Sequence, residues 1–198
     1  MKQATILAVC IAIVSFSFAS PIHSNNGSRV KISGDTTSMM KVSDMQEMLQ
    51  EIIDITGLQT HIELKEAGVL NIEASISHRK RYISYNPTYI TSLNKITKNK
   101  WAVMALLAHE VGHHLNGHTI RKGGSTPELE LEADEFAGFV LNKLGATLQQ
   151  SQQVMHYIAK AKESRTHPAK SSRLLAIEKG WNRASGLQEM TAGKRNNH

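Results

Sequence analysis

The chain has 198 residues, a formal net charge of +6 and a single cysteine, Cys10. One domain of ordinary size accommodates that length, and one thiol excludes a disulfide framework. Basic residues are spread over His78-Arg79-Lys80-Arg81, Arg121-Lys122 and Lys194-Arg195, and aromatics are only 5% with no stacking platform among them, so nucleic-acid binding is excluded in favour of solvated loops.

Residues 1–19 read as an export signal: Lys2 is the positive start, Ala4 to Phe18 is mostly apolar, and Ser17-Phe18-Ala19 suits cleavage before Ser20. The run falls short of the roughly 20 residues a bilayer span needs. The expected location is the periplasm, with secretion or an uncleaved anchor as the alternatives, and Cys10 leaves with the signal. Residues 20–41 are polar and aperiodic, a flexible leader.

From Val42 to Ile55 the pattern is helical: Ser43 and Gln46 suggest a capping box, Met45, Met48, Leu49, Ile52 and Ile53 form a core stripe, and Gly57 stops the helix. Leu70 to Ser77 and Tyr82 to Asn86 read as strands joined by a turn at His78 to Arg81, a small antiparallel hairpin. Pro87 opens a short helix marked by Ile90, Leu93 and Ile96. Lys100 to Leu115 is apolar around most of its circumference and is expected to be buried.

A capping box at Ser125 and Glu128, with Pro127, starts a helix to about Lys143, stopped by Gly145. Two more helices follow, Thr147 to Lys162 and Pro168 to Lys179, the last closed by Gly180. The tail from 185 to 198 is expected to fray. The folded domain is thus 42–184, an α+β unit, mostly helical with a small antiparallel sheet.

His109-Glu110-Val111-Gly112-His113 matches His-Glu-x-x-His. In a helix the two histidines lie one turn apart on one face, able to reach one zinc ion, while Glu110 sits one residue round from them. Catalytic zinc keeps three protein ligands and one open position. A metzincin would place glycine at 116 and histidine at 119, whereas this chain has Asn116 and Thr119. A carboxylate from Glu130-Leu131-Glu132-Ala133-Asp134 is the remaining source. Glu130 and Asp134 share a helix face, so if Glu130 binds metal, Asp134 can orient a ligating histidine, His109 foremost. His114 and His118 lie off the metal face and read as structural; Glu128, Glu132 and Glu135 read as a solvated face.

Together with Glu-x-x-Ala-Asp at 130–134, Thr166-His167-Pro168 and Arg173, the motif resembles the HtpX and CAAX prenyl protease type of gluzincin, the forty-eighth family of metallopeptidases. The likeness spans roughly Tyr82 to Gly180. It implies a zincin-like fold, one zinc ion on His109, His113 and Glu130, Glu110 as general base, Asp134 behind a ligand, and His167 and Arg173 beside the substrate carbonyl. An Asn-Ala-x-Ala run, usual in the family near the strand before the active helix, is not found in this sequence.

The expected activity is metalloendopeptidase action on exported or envelope proteins bound in extended conformation, with the strand Tyr82 to Asn86 pairing with the substrate backbone. A zinc-stabilised binding or chaperone-like module, or a latent peptidase with little turnover, are the alternatives. Retention of Glu110 favours the enzyme, because a structural zinc site has no use for a base beside its ligands.

Overall fold

The structure, a computed structural model, describes residues 40–121 and 124–186 together with the backbone of Leu7–Ala8. The expected export signal, leader and frayed tail lie outside the described residues except at 7–8, 40–41 and 185–186. In chain order the elements are β1 (Leu7–Ala8), α1 (Val42–Thr56), β2 (Ile62–Glu66), β3 (Ile72–Ser77), β4 (Lys80–Tyr85), α2 (Pro87–Thr97), α3 (Trp101–Leu115), a 3-10 turn (His118–Ile120), α4 (Pro127–Lys143), α5 (Leu148–Ile158) and α6 (Lys170–Ala184). The class is α+β, mostly helical beside a small sheet. No helix among the described residues is long and apolar enough to cross a membrane.

Local chemistry sets most boundaries. At the start of α1, Asp44 Oδ2 accepts from the Lys41 backbone N–H at 3.0 Å, and Gly57 ends the helix at φ 67°. The box is therefore not the expected Ser43 and Gln46 pair. The α2 start is held by Asn86, whose Oδ1 accepts from Thr88 N–H at 2.9 Å and Tyr89 N–H at 3.3 Å ahead of Pro87 at the first helical position.

The sheet is mixed, which corrects the antiparallel expectation. Its order is β1-β3-β4-β2, with β3 antiparallel to β4 and β2 parallel to β4. The β3–β4 hairpin turns tightly through His78 and Arg79, both left-handed at φ 49° and 65°, as a two-residue turn requires. Strand β2, Ile62-Glu63-Leu64-Lys65-Glu66, is absent from the sequence reading because its alternation spans only four residues, with Ile62 and Leu64 its two apolar positions. One consequence matters for substrate binding. Strand β4 lies between β3 and β2, so the Tyr82 to Asn86 segment has no free edge and cannot pair with a peptide from outside. On the far side of β3, Leu7 and Ala8 pair antiparallel with Ile76 and Ser75.

Helix α3 is the centre of the molecule. Every residue from Ala102 to His114 is buried, and the helix packs against α1, α2, α4, α5 and β3. Its apolar positions join the α1 stripe of Met45, Met48, Leu49, Ile52 and Ile53 in one core. Polar groups carried on such a helix are inside the protein by construction.

Helices α4 and α6 approach backbone to backbone. A Cβ on Gly138 would fall 2.0 Å from the Ile177 carbonyl oxygen, and one on Gly180 would fall 1.8 Å from that of Glu135. Gly180 thus lies inside α6, which runs on to Ala184, instead of ending it. Gly→Ala in a helix interior is ordinarily stabilising by about 0.5–1 kcal/mol. Here Gly180→Ala is expected to reverse that sign and cost about 1–3 kcal/mol by forcing the helices apart, read as a melting temperature lower by about 2–4 °C per kcal/mol.

Candidate metal centre

Three elements supply the site. The first and fifth positions of His-Glu-x-x-His place His109 and His113 on one side of α3, and α4 brings Glu130 and Asp134 against them. Contact at Gly112 makes this possible: a Cβ there would sit 3.1 Å from Phe136 Cδ1 and 3.2 Å from Ala133 Cα. Arg173 enters from α6, and His167 from the loop before it. His109, Glu110, His113, Glu130, Asp134 and Arg173 are all buried.

His109 Nε2 lies 3.1 Å from His113 Nε2 and 3.4 Å from Glu130 Oε2, while His113 Nε2 lies 3.4 Å from Glu130 Oε1. These buried donors converge on one point and could hold a metal ion. Glu130 Oε2 is shielded from solvent without a hydrogen-bond partner, a costly position for a carboxylate oxygen unless a cation is its partner. The other oxygen accepts a hydrogen bond from Ser125 Oγ. Ser125 therefore orients the carboxylate instead of forming the expected box with Glu128; Thr126 takes the cap position of α4.

Behind His109, the Asp134 carboxylate faces Nδ1 at 2.9 Å through Oδ1. Arg173 grips the same carboxylate with two bonds, Nε to Oδ2 at 2.7 Å and Nη2 to Oδ1 at 2.8 Å, and its Nη2 is 3.7 Å from Glu130 Oε2. The guanidinium is thus engaged by the two acids of α4. Behind His113, Nδ1 meets His118 Nδ1 at 2.9 Å, and His118 Nε2 meets Glu132 Oε2 at 2.9 Å. The sequence reads His118 as structural and Glu132 as part of a solvated face, and the contact of His118 with His113 goes beyond both readings. His114 Nε2 reaches the Tyr82 backbone carbonyl at 3.0 Å, tying α3 to β4 in the structural role expected for it.

Charge in this interior follows the partners. Burial opposes charge on His109, yet the Asp134 and Glu130 carboxylates override it and lift the imidazole to about 10. Burial pushes His113 down to about 4. Despite burial, which resists ionisation, the two imidazoles hold Glu130 well below the usual carboxylate range, and Arg173 lowers Asp134 against the same opposition.

Glu110 differs from every other acid here. It is fully buried, neither carboxylate oxygen has a hydrogen-bond partner, and burial pushes its carboxyl up to about 8. The nearby Ala74 amide of β3 favours the ionised form and offsets a small part of that shift. His167 is half-buried: Nδ1 lies 2.7 Å from Thr166 Oγ1, and Nε2 is shielded from solvent with no partner. Burial lowers its pKa, against the pull of Glu130.

Comparison with protein-family models, with curated proteins and with solved structures returns no match.

Proposed function

We propose that the chain is a zinc-dependent metalloendopeptidase built on a zincin-like, gluzincin domain. The observation that carries this reading is the convergence of His109 Nε2 and His113 Nε2, 3.1 Å apart and each 3.4 Å from one of the two Glu130 carboxylate oxygens, beside the unpartnered carboxylate of Glu110. A tetrahedron with zinc bonds of about 2.0–2.1 Å has edges of about 3.3–3.4 Å, and two imidazoles with one carboxylate are a donor set that leaves a corner open. An ion held there supplies Lewis acidity, polarising the scissile carbonyl and acidifying water.

The side chains divide the remaining work. Glu110, held one residue from the ligands on α3, takes the proton of the attacking water and passes it to the departing amine. A carboxyl displaced toward neutrality by burial suits both transfers. His167 offers its free Nε2 to the developing oxyanion. Asp134 and Arg173 fix the His109 ring, so we place Arg173 as a positioning residue. Strand β3, beside α3, takes over the substrate-pairing role assigned above to β4, and its outer edge receives an antiparallel segment at Ser75 and Ile76. Asn71 immediately before it and Ile72-Glu73-Ala74 at its start differ from Asn-Ala-x-Ala at one position. Substrates among exported or envelope proteins follow from the pattern of residues 1–19.

Chelator-stripped protein titrated with zinc is expected to bind one ion per chain. With free zinc near 1,000 times its Kd, stabilisation is about 4.1 kcal/mol, a rise of about 8–16 °C in melting temperature. Casein cleavage returns with the metal. No zinc-dependent shift would remove the metal centre. Zinc binding without cleavage would leave a binding module or a latent enzyme.

A further inference from the structure

His109 and His113 are each backed by a chain of partners, and the two chains are unlike. Behind His109, Asp134 and Arg173 are both buried. Behind His113 the chain runs through a second imidazole and ends on Glu132, a side chain 56% exposed. The hydrogen positions along this second chain follow from its two ends, a cation facing His113 Nε2 and a carboxylate facing His118 Nε2. To offer Nε2 to a cation, neutral His113 must carry its proton on Nδ1 and donate it. Across 2.9 Å, His118 Nδ1 must then be the acceptor, so the His118 proton sits on Nε2 and points at Glu132 Oε2, also at 2.9 Å. A carboxylate only accepts, which selects that arrangement. The opposite arrangement would put His118 N–H against His113, shift the His113 proton to Nε2, and close the ring to metal. Burial of His113 and His118 means no water substitutes for a lost partner.

We propose that His118 and Glu132 form a positioning relay that holds His113 in its metal-binding tautomer, with Glu132 its solvent-side end. This rests on the zinc reading above. The relay exists because the chain leaves α3 through Gly117 at φ 72° and turns back at His118–Ile120, returning the imidazole beneath the helix end.

The test is zinc affinity, measured by competition with a chromophoric chelator, together with the visible spectrum of the cobalt(II) protein. His118→Ala is expected to weaken zinc binding about 10-fold to 100-fold and to change the cobalt bands. Glu132→Gln, whose amide oxygen still accepts, is expected to lose less than about 10-fold. Glu132→Lys presents only donors to His118 Nε2 and is expected to fall well below Glu132→Gln. Glu128→Lys makes the same charge change on the same helix away from the relay and serves as the control. Because Glu132 is at the surface, its variants remain informative even where His118→Ala does not fold. Affinities of Glu132→Lys and Glu128→Lys within about twofold of one another, or an unchanged cobalt spectrum in folded His118→Ala, would overturn the relay while leaving the metal centre intact. Wild-type protein that binds no zinc overturns both.

Discussion

Glu110→Gln is expected to bind zinc at the wild-type stoichiometry and to lose turnover by about 10²–10⁴-fold, the usual weight of a positioned acid–base group. The replacement keeps the shape of the side chain and removes only its ability to take a proton. Retention of metal follows from the geometry, since the three converging donors are His109, His113 and Glu130. Stability gives a second readout, with a sign opposite to that of most core substitutions. The Glu110 carboxyl has a folded pKa near 8 against an ordinary value of 4.5. Ionisation therefore favours the unfolded chain increasingly as pH rises from about 4.5 to about 8, and the full penalty is present above that. Metal-free Glu110→Gln is accordingly expected to melt no lower than metal-free wild type at pH 8. Casein cleavage, zinc content and melting of both proteins decide the matter. Equal cleavage by the two would end the peptidase reading; no cleavage by either at full zinc occupancy would favour a binding module or a latent enzyme.

Asp134→Asn is expected to cost about 3–5 kcal/mol, because the Arg173 guanidinium stays buried with its bidentate partner gone. That is a large share of the 5–15 kcal/mol typical of a domain. The melting temperature should drop by about 6–20 °C. Zinc affinity should fall about 10-fold to 100-fold as well, since His109 Nδ1 no longer faces a carboxylate. Asp134→Leu combined with Arg173→Met separates the two effects. Apolar replacement of a buried ion pair is often neutral or stabilising, so stability should return while zinc affinity does not. A single variant within about 1 kcal/mol of wild type in denaturant titration would show that the pair contributes little.

The helices and the donor pairs were legible from residue spacing alone. Positions i and i+4 on α3 and α4 put His109 with His113 and Glu130 with Asp134, and the apolar circumference of α3 announced its burial; these are periodicities within one element, which the backbone geometry of a helix translates directly into a face. What crosses between elements left no such imprint. The parallel pairing of β2 with β4 removes the free edge that β4 would have in a simple hairpin, and Gly180 reads as a stop signal until the Glu135 carbonyl beneath it is seen. In one dimension His118 reads as structural and Glu132 as solvated; a reversal of the chain at Gly117 brings His118 between His113 and Glu132. Sequence periodicity records the repeat of a single helix or strand, whereas contacts between elements depend on how those elements are stacked, and only the folded chain contains that information.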